Sequence, residues 1–149
     1  MPEIYVDADA CPVKDEVLKV ADRHGLKTSF VSDGGIRPYP NPLVRIVVVD
    51  QGADAADDWI VENIQEGDIT VTNDIPLADR CLKKGALAIR PNGKVFTEES
   101  IGMALATRDL MADLREAGEI TGGPAPFSKQ DRSRFLQALE TTIQSCRKP

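Results

Sequence analysis

An α/β fold of three layers, with a central parallel sheet of about five strands and helices on both faces, is predicted by three features of the sequence. Short apolar runs rich in β-branched residues alternate with stretches of helical apolar spacing. Most of the helical stretches end at or near a glycine. One run, VRIVVV at 44–49, is almost wholly apolar, as expected of a strand covered on both faces. A β-α-β alternation of this kind favours parallel strands with right-handed crossovers.

Ile4-Tyr5-Val6 is the first strand, ending in Asp7-Ala8-Asp9. Pro12 suits the first turn of a helix, and Val13, Val17, Leu18, Val20 and Ala21 keep helical spacing up to His24-Gly25. Thr28 to Val31 reads as a second strand, and residues 32–43, dense in Gly and Pro, as a loop. After the third strand, Asp54 to Gln65 is predicted as a helix with Ala56, Trp59, Ile60 and Ile64 as its buried stripe. Asp68 to Thr72 is the fourth strand, Ile75 to Lys84 a short helix, and Ala86 to Ile89 the fifth strand. The predicted strand order is 3-2-1-4-5 or a close relative of it. Two helices close the chain, Ile101 to Ala117 and Ser128 to Ser145, joined by a linker containing Gly122-Gly123-Pro124. Ser128 is placed to cap the last helix, whose apolar positions are Phe135, Leu136, Leu139 and Ile143. Residues 1–149 read as one domain, and the apolar C-terminal helices would support a homodimer.

The chain has 149 residues, 42% of them apolar, which suits a single ordinary core. Its three cysteines, Cys11, Cys81 and Cys146, have no paired ligand spacing, which argues against a zinc site or a disulfide framework. No signal-peptide pattern opens the chain and no apolar run approaches the length of a membrane span. The expected location is the cytoplasm, with no membrane partner. The formal charge of −6, from 24 acidic and 18 basic residues, is a poor basis for gripping nucleic acid through phosphates alone.

In open parallel sheets, ligands bind beyond the carboxyl ends of the strands. Asp7 and Asp9 end the first strand, Asp54, Asp57 and Asp58 open the helix after the third, and Asp74 follows the fourth. Carboxylates brought together there repel unless a counter-charge joins them. Mg²⁺ or Mn²⁺, hard ions that prefer oxygen ligands, would supply it. Such an ion orients a water and stabilises charge on a phosphoryl group, so phosphodiester hydrolysis is the chemistry this pattern suggests. Asp54 and Asp74 would also serve as helix caps, and Asp57 sits where the helix dipole favours an acid. Two acids closing a buried strand, as at Asp7 and Asp9, are harder to assign to stability.

Other residues are weaker candidates. His24, beside a helix-ending glycine, reads as a solvated capping residue, and one histidine so placed gives little support to a catalytic triad. Cys11 lies near a helix start that would lower its pKa, but no Arg follows at the sixth position, and a small buried thiol is the preferred reading. Lys14, Arg37 and Lys94 fall near strand ends or loops on the presumed substrate side. Nucleotide-cradling glycine motifs are absent.

VDADACPVK at 6–14, GADAADDWI at 52–60, GDITVTNDIPLADRCLKKGA at 67–86, and GGPAPF with Asp131-Arg132 and Phe135 resemble the bacterial YaiI/YqxD family, also catalogued as UPF0178. The resemblance runs from Ile4 to Leu139. That family looks like a branch of the PIN-like superfamily, whose better-known members are metal-dependent ribonucleases. The resemblance implies a three-layer PIN-like fold and a metal site in which Asp7 holds the first-strand position, Asp54 or Asp57 the middle-helix position and Asp74 the fourth-strand position. Asp79 would match a further acid, and Asp9 has no clear counterpart.

The resulting expectation is a Mg²⁺- or Mn²⁺-dependent nuclease acting on RNA, with Asp7, Asp54, Asp57 and Asp74 catalytic and Asp9 as an added ligand. Two alternatives stand beside it. Asp7-Ala8-Asp9 resembles the D-x-D signature of haloacid-dehalogenase phosphatases, with Asp7 as nucleophile, although Cys11 stands where that signature carries a hydroxyl residue. A non-catalytic domain that binds RNA or protein through a vestigial site is the other.

Overall fold

The β-branched runs do form the strands, and all of them are parallel. The structure, a computed structural model, describes residues 2–8, 11–33, 41–49, 55–103 and 128–147. Its strands are β1 (Ile4–Asp7), β2 (Thr28–Ser32), β3 (Val44–Val48), β4 (Ile69–Val71) and β5 (Leu87–Ile89). They pair in the order β3-β2-β1-β4-β5, as the sequence predicts. The register sets Asp7 beside Val31 of β2, and Val6 beside Val71 of β4.

Alternation along β1 sends its side chains to two different cores. Ile4, Val6 and Ala8 face a cluster that includes Val17, Val20 and Ala21 of α1 (Lys14–His24) and Phe135, Leu139 and Ile143 of the C-terminal helix α4 (Lys129–Arg147). Tyr5 faces the opposite cluster, with Ile60 and Ile64 at α2 (Ala55–Asn63) and Leu77 and Cys81 of α3 (Ile75–Lys83). These are the three layers: α1 and α4, the sheet, then α2 and α3. The apolar positions of α4 are thus spent inside the chain's own core.

Helix ends follow local chemistry. Gly25 closes α1 at φ 66°, a left-handed conformation that glycine adopts without a Cβ penalty. Ser128 and Asp131 form a reciprocal box at the start of α4: the Asp131 amide donates to Ser128 Oγ at 3.1 Å, and the Ser128 amide to Asp131 Oδ2 at 3.0 Å. The predicted cap is therefore present. α1 and α4 run side by side in the same direction. Arg132 donates to Glu16 at one end, and Arg23 and His24 both reach Glu140 at the other.

Three expectations change. β3 is an edge strand: Val44 and Ile46 touch one core and Val47 the other, but with β2 alone beside it the coverage is partial, and Val48 is 67% exposed. A continuous apolar run therefore marks contact with both helical layers here, and not full burial. His24 is not solvated; its side chain is 12% exposed and Nε2 lies 2.5 Å from Glu140 Oε2. Helical spacing to α4, distant in sequence, decides that position. The predicted Ile101–Ala117 helix starts earlier, with residues 98–103 helical. The rest of it, and the linker at Gly122-Gly123-Pro124, lie outside the described residues.

Candidate active site

From β1 the chain steps outward through β2 to β3, then returns to place β4 on the other side of β1. The carboxyl ends of β1 and β4 therefore flank the topological switch point, where a crevice opens in such sheets. Asp7 ends β1, on the side of the sheet that carries Tyr5, α2 and α3. Thr72 follows β4 immediately, and Asp74 opens α3 two residues later.

One hydroxyl joins these residues. Thr72 Oγ1, in a side chain only 2% exposed, donates to Asp7 Oδ2 at 3.1 Å and accepts from the Asp74 amide at 2.9 Å. Asp74 Oδ1 in turn accepts from the Leu77 amide at 2.9 Å, the N-cap bond of α3, with Pro76 in the first turn. Asp74 is thus a helix cap and a neighbour of Asp7 at once. Both carboxylates are partly buried, so their orientation is fixed by the fold and not by solvent.

The other predicted acids distribute differently. Asp57 lies in the first turn of α2, three residues before the fully buried Ile60, and its charge contributes to the raised pKa of Cys81 on α3. That places it in the α2–α3 layer, the same side of the sheet as Asp7. Asp58 pairs with Arg80 at 3.0 Å on the exposed surface, and Asp79 pairs with Lys83 at 2.9 Å along α3. Asp9, Asp54 and Arg37 lie outside the described residues. Among the described residues no three Asp, Glu, His or Cys side chains converge into a group that could hold a metal ion. Thr72 ties the Asp7 carboxylate to the Asp74 backbone amide, while the Asp74 carboxylate is held by the Leu77 amide, so the site offers carboxylate oxygens, the kind of donor that hard cations take.

Cysteine chemistry does not belong here. Burial pushes the Cys11 thiol up to about 11 and the Cys81 thiol to about 12, outweighing the nearby lysine and arginine charges that would lower them. The small buried thiol is the reading the structure supports for Cys11. Lys14 is partly buried at the start of α1 and Lys94 is exposed in the turn after β5.

Comparison with known proteins supplies the family. Residues 5–145 match the model described as "Uncharacterized BCR, YaiI/YqxD family". The chain belongs to the YaiI/YqxD family. A UPF0178 protein of Rhodopseudomonas palustris is 64% identical over 143 residues, covering 96% of this chain and 90% of that one. One from Parvibaculum lavamentivorans is 60% identical over 99% of this chain and 97% of its own length. Another, from Paramagnetospirillum magneticum, is 58% identical over 99% and 98%. No solved structure matches the chain.

Thr72 is the residue of this site that reading for acids alone overlooks. Its signal is the spacing Thr72-Asn73-Asp74 directly after a strand, which fits a hydroxyl folding back on the amide two residues on. Asp68 is a second residue that a reading for strand-end acids passes over. Buried before β4, it accepts from the amides of Glu3 and Gln65 at 3.0 and 2.9 Å, a structural role at the far end of the sheet.

Proposed function

We propose that this YaiI/YqxD protein is a Mg²⁺- or Mn²⁺-dependent nuclease of PIN-like type that hydrolyses phosphodiester bonds in RNA. The observation that carries this reading is the Asp7–Thr72–Asp74 linkage across the switch point. Asp7 and Asp74 would hold the cation, with Asp57 as a further carboxylate and Asp9 and Asp54, which lie outside the described residues, as the remaining ligands the sequence suggests. When bound, the ion supplies the counter-charge these carboxylates need and Lewis acidity toward water and phosphoryl oxygen. The protein's own part is positional. Thr72 fixes the rotamer of Asp7 and the α3 cap fixes Asp74, so both carboxylates are oriented before any ligand arrives.

Mn²⁺ binding by calorimetry, on the parent and on an Asp7→Asn, Asp74→Asn double variant, tests the reading. Asparagine caps helices as well as aspartate does, so α3 should survive the change. Binding in the parent that vanishes in the variant, together with Mn²⁺-dependent cleavage of an oligoribonucleotide lost in the same variant, supports it. Absence of Mn²⁺ binding in the parent overturns it and favours a binding domain with a vestigial site.

A further inference from the structure

At the opposite end of the sheet, where the strands begin, a cavity of about 420 Å³ opens between β1, β2, β3 and the C-terminal end of α2. Its volume falls within the range of small-molecule sites. Its walls include Glu3, Tyr5, Lys27, Ser29, Arg45 and Asn63. Lys27 and Arg45 are the cations among them and Glu3 the carboxylate, with the Asp68 carboxylate close behind, bonded to the amides of Glu3 and Gln65 at 3.0 and 2.9 Å.

The negative groups of the wall are already engaged. The Tyr5 hydroxyl donates to Glu3 Oε2 at 2.9 Å and lies 3.3 Å from the Asn63 carbonyl oxygen. The cations are not. Among the described residues neither Lys27 nor Arg45 has a carboxylate within ion-pair distance. Arg45 is nevertheless held in place. Its Nε and Nη2 donate to Ser29 Oγ, its cross-strand neighbour, at 3.3 and 3.1 Å, and its guanidinium lies 5.3 Å from the centroid of the Trp59 ring. An arginine fixed by a neutral partner and an aromatic face, with its charge unpaired at a cavity wall, has little side-chain freedom left to lose when it binds an anion.

We propose that this cleft is a binding site for a small oxyanion, the phosphate or carboxylate group of a low-molecular-weight ligand, held by Arg45 and Lys27. The site is separate from the aspartates at the carboxyl ends of the strands. Trp59 is the only tryptophan of the chain and reports directly on Arg45.

Titrating inorganic phosphate and, separately, acetate into the protein at ionic strength held constant with chloride tests the proposal through Trp59 emission, with calorimetry alongside. A saturable response to either anion is expected, its affinity at least fivefold weaker in Arg45→Met and in Lys27→Gln and unchanged in the Asp7→Asn, Asp74→Asn variant. Response to phosphate alone assigns a phosphate ester, to acetate alone a carboxylate, and to both an oxyanion site of broad tolerance. Lys27 is exposed, so Lys27→Gln should melt with the parent; Arg45→Met gives up the Ser29 bonds and the Trp59 contact, and Lys27→Gln carries the test if that variant is destabilised. No saturable response to either anion, or equal affinity in the parent and a folded cleft variant, overturns the proposal.

Discussion

Replacing Thr72 with valine keeps the shape of a fully packed side chain and deletes only the hydroxyl that joins Asp7 to Asp74. Two hydrogen bonds go with it. The one to the Asp7 carboxylate, at 3.1 Å, is of the charge-assisted kind that contributes about 1.5–3 kcal/mol. The one from the Asp74 amide, at 2.9 Å, contributes about 0.5–1.5 kcal/mol. Valine's methyl leaves both former partners facing an apolar group, so the loss is not recovered, and about 2–4 kcal/mol of destabilisation is expected. For a chain of this length that lowers Tm by roughly 5–15 °C. Urea and thermal melts of Thr72→Val, Asp7→Asn and the double variant would measure it. If Thr72 acts through Asp7, the double variant should lose less than the sum of the two single losses, by about 1 kcal/mol or more. A Thr72→Val protein that melts within 2 °C of the parent, or single losses that simply add, would refute the linkage.

Three further outcomes follow from the packing and the titrating groups. Gly93→Ala should destabilise clearly more than Gly25→Ala: both glycines have positive φ, but a Cβ at Gly93 would meet the Arg134 backbone of α4 at 2.7 Å, whereas Gly25 faces open space; paired urea melts check this. Burial alone would raise the Glu140 carboxyl, but hydrogen bonds from His24, Arg23 and Gln144 hold it below the usual carboxylate range. Its contribution is therefore complete above the unfolded value of about 4.3 and lost as pH falls through the lower folded value, so Glu140→Gln should weaken the fold at pH 7 and make little difference at pH 2.5. With Cys146 replaced by serine, Cys11 and Cys81 should react with a thiol reagent at pH 8 roughly two orders of magnitude more slowly than a free cysteine, which a stopped labelling assay with and without urea would show.

The sheet was legible because each strand announces itself locally. A β-branched run, a helical stretch and a closing glycine suffice to place β1, β2 and β4, and the crossover rules then leave few orders to choose from. The burial of β3 was not legible, since an apolar run reads alike whether its neighbours number one or two. His24 shows the same limit. Nothing adjacent to it names Glu140, 116 residues away, as its partner. In the site, the acids were visible as strand-end residues, but their division of labour was not: Asp58 stands beside Asp57 in the first turn of α2, and only the packing of α2 against α3 gives it to Arg80. Thr72 was hidden because its importance lies in bridging two elements that are 65 residues apart.

An acidic chain that acts on RNA must draw its grip from something other than many phosphate contacts. At the carboxyl ends of the strands, Arg132 and Arg134 at the start of α4 are paired with Glu16 and Asp131, which leaves Lys14, Lys94, Lys129 and Arg90, whose guanidinium lies over the Phe96 ring at 4.7 Å, as the other described cations. Two or three phosphate contacts give a plot of log affinity against log salt with a slope of about −1.5 to −2 for a single strand, since each contributes about 0.7. A protein that relied on a basic surface would give a much steeper line. Anisotropy of a labelled oligoribonucleotide, recorded in the first seconds after mixing across 50–300 mM KCl, should therefore show a shallow dependence. The same measurement without divalent cation should show the larger loss, because uncompensated carboxylates would then repel the phosphate they are proposed to face. A steep salt slope with no effect of removing Mg²⁺ or Mn²⁺ would place RNA on some other surface and detach it from Asp7 and Asp74.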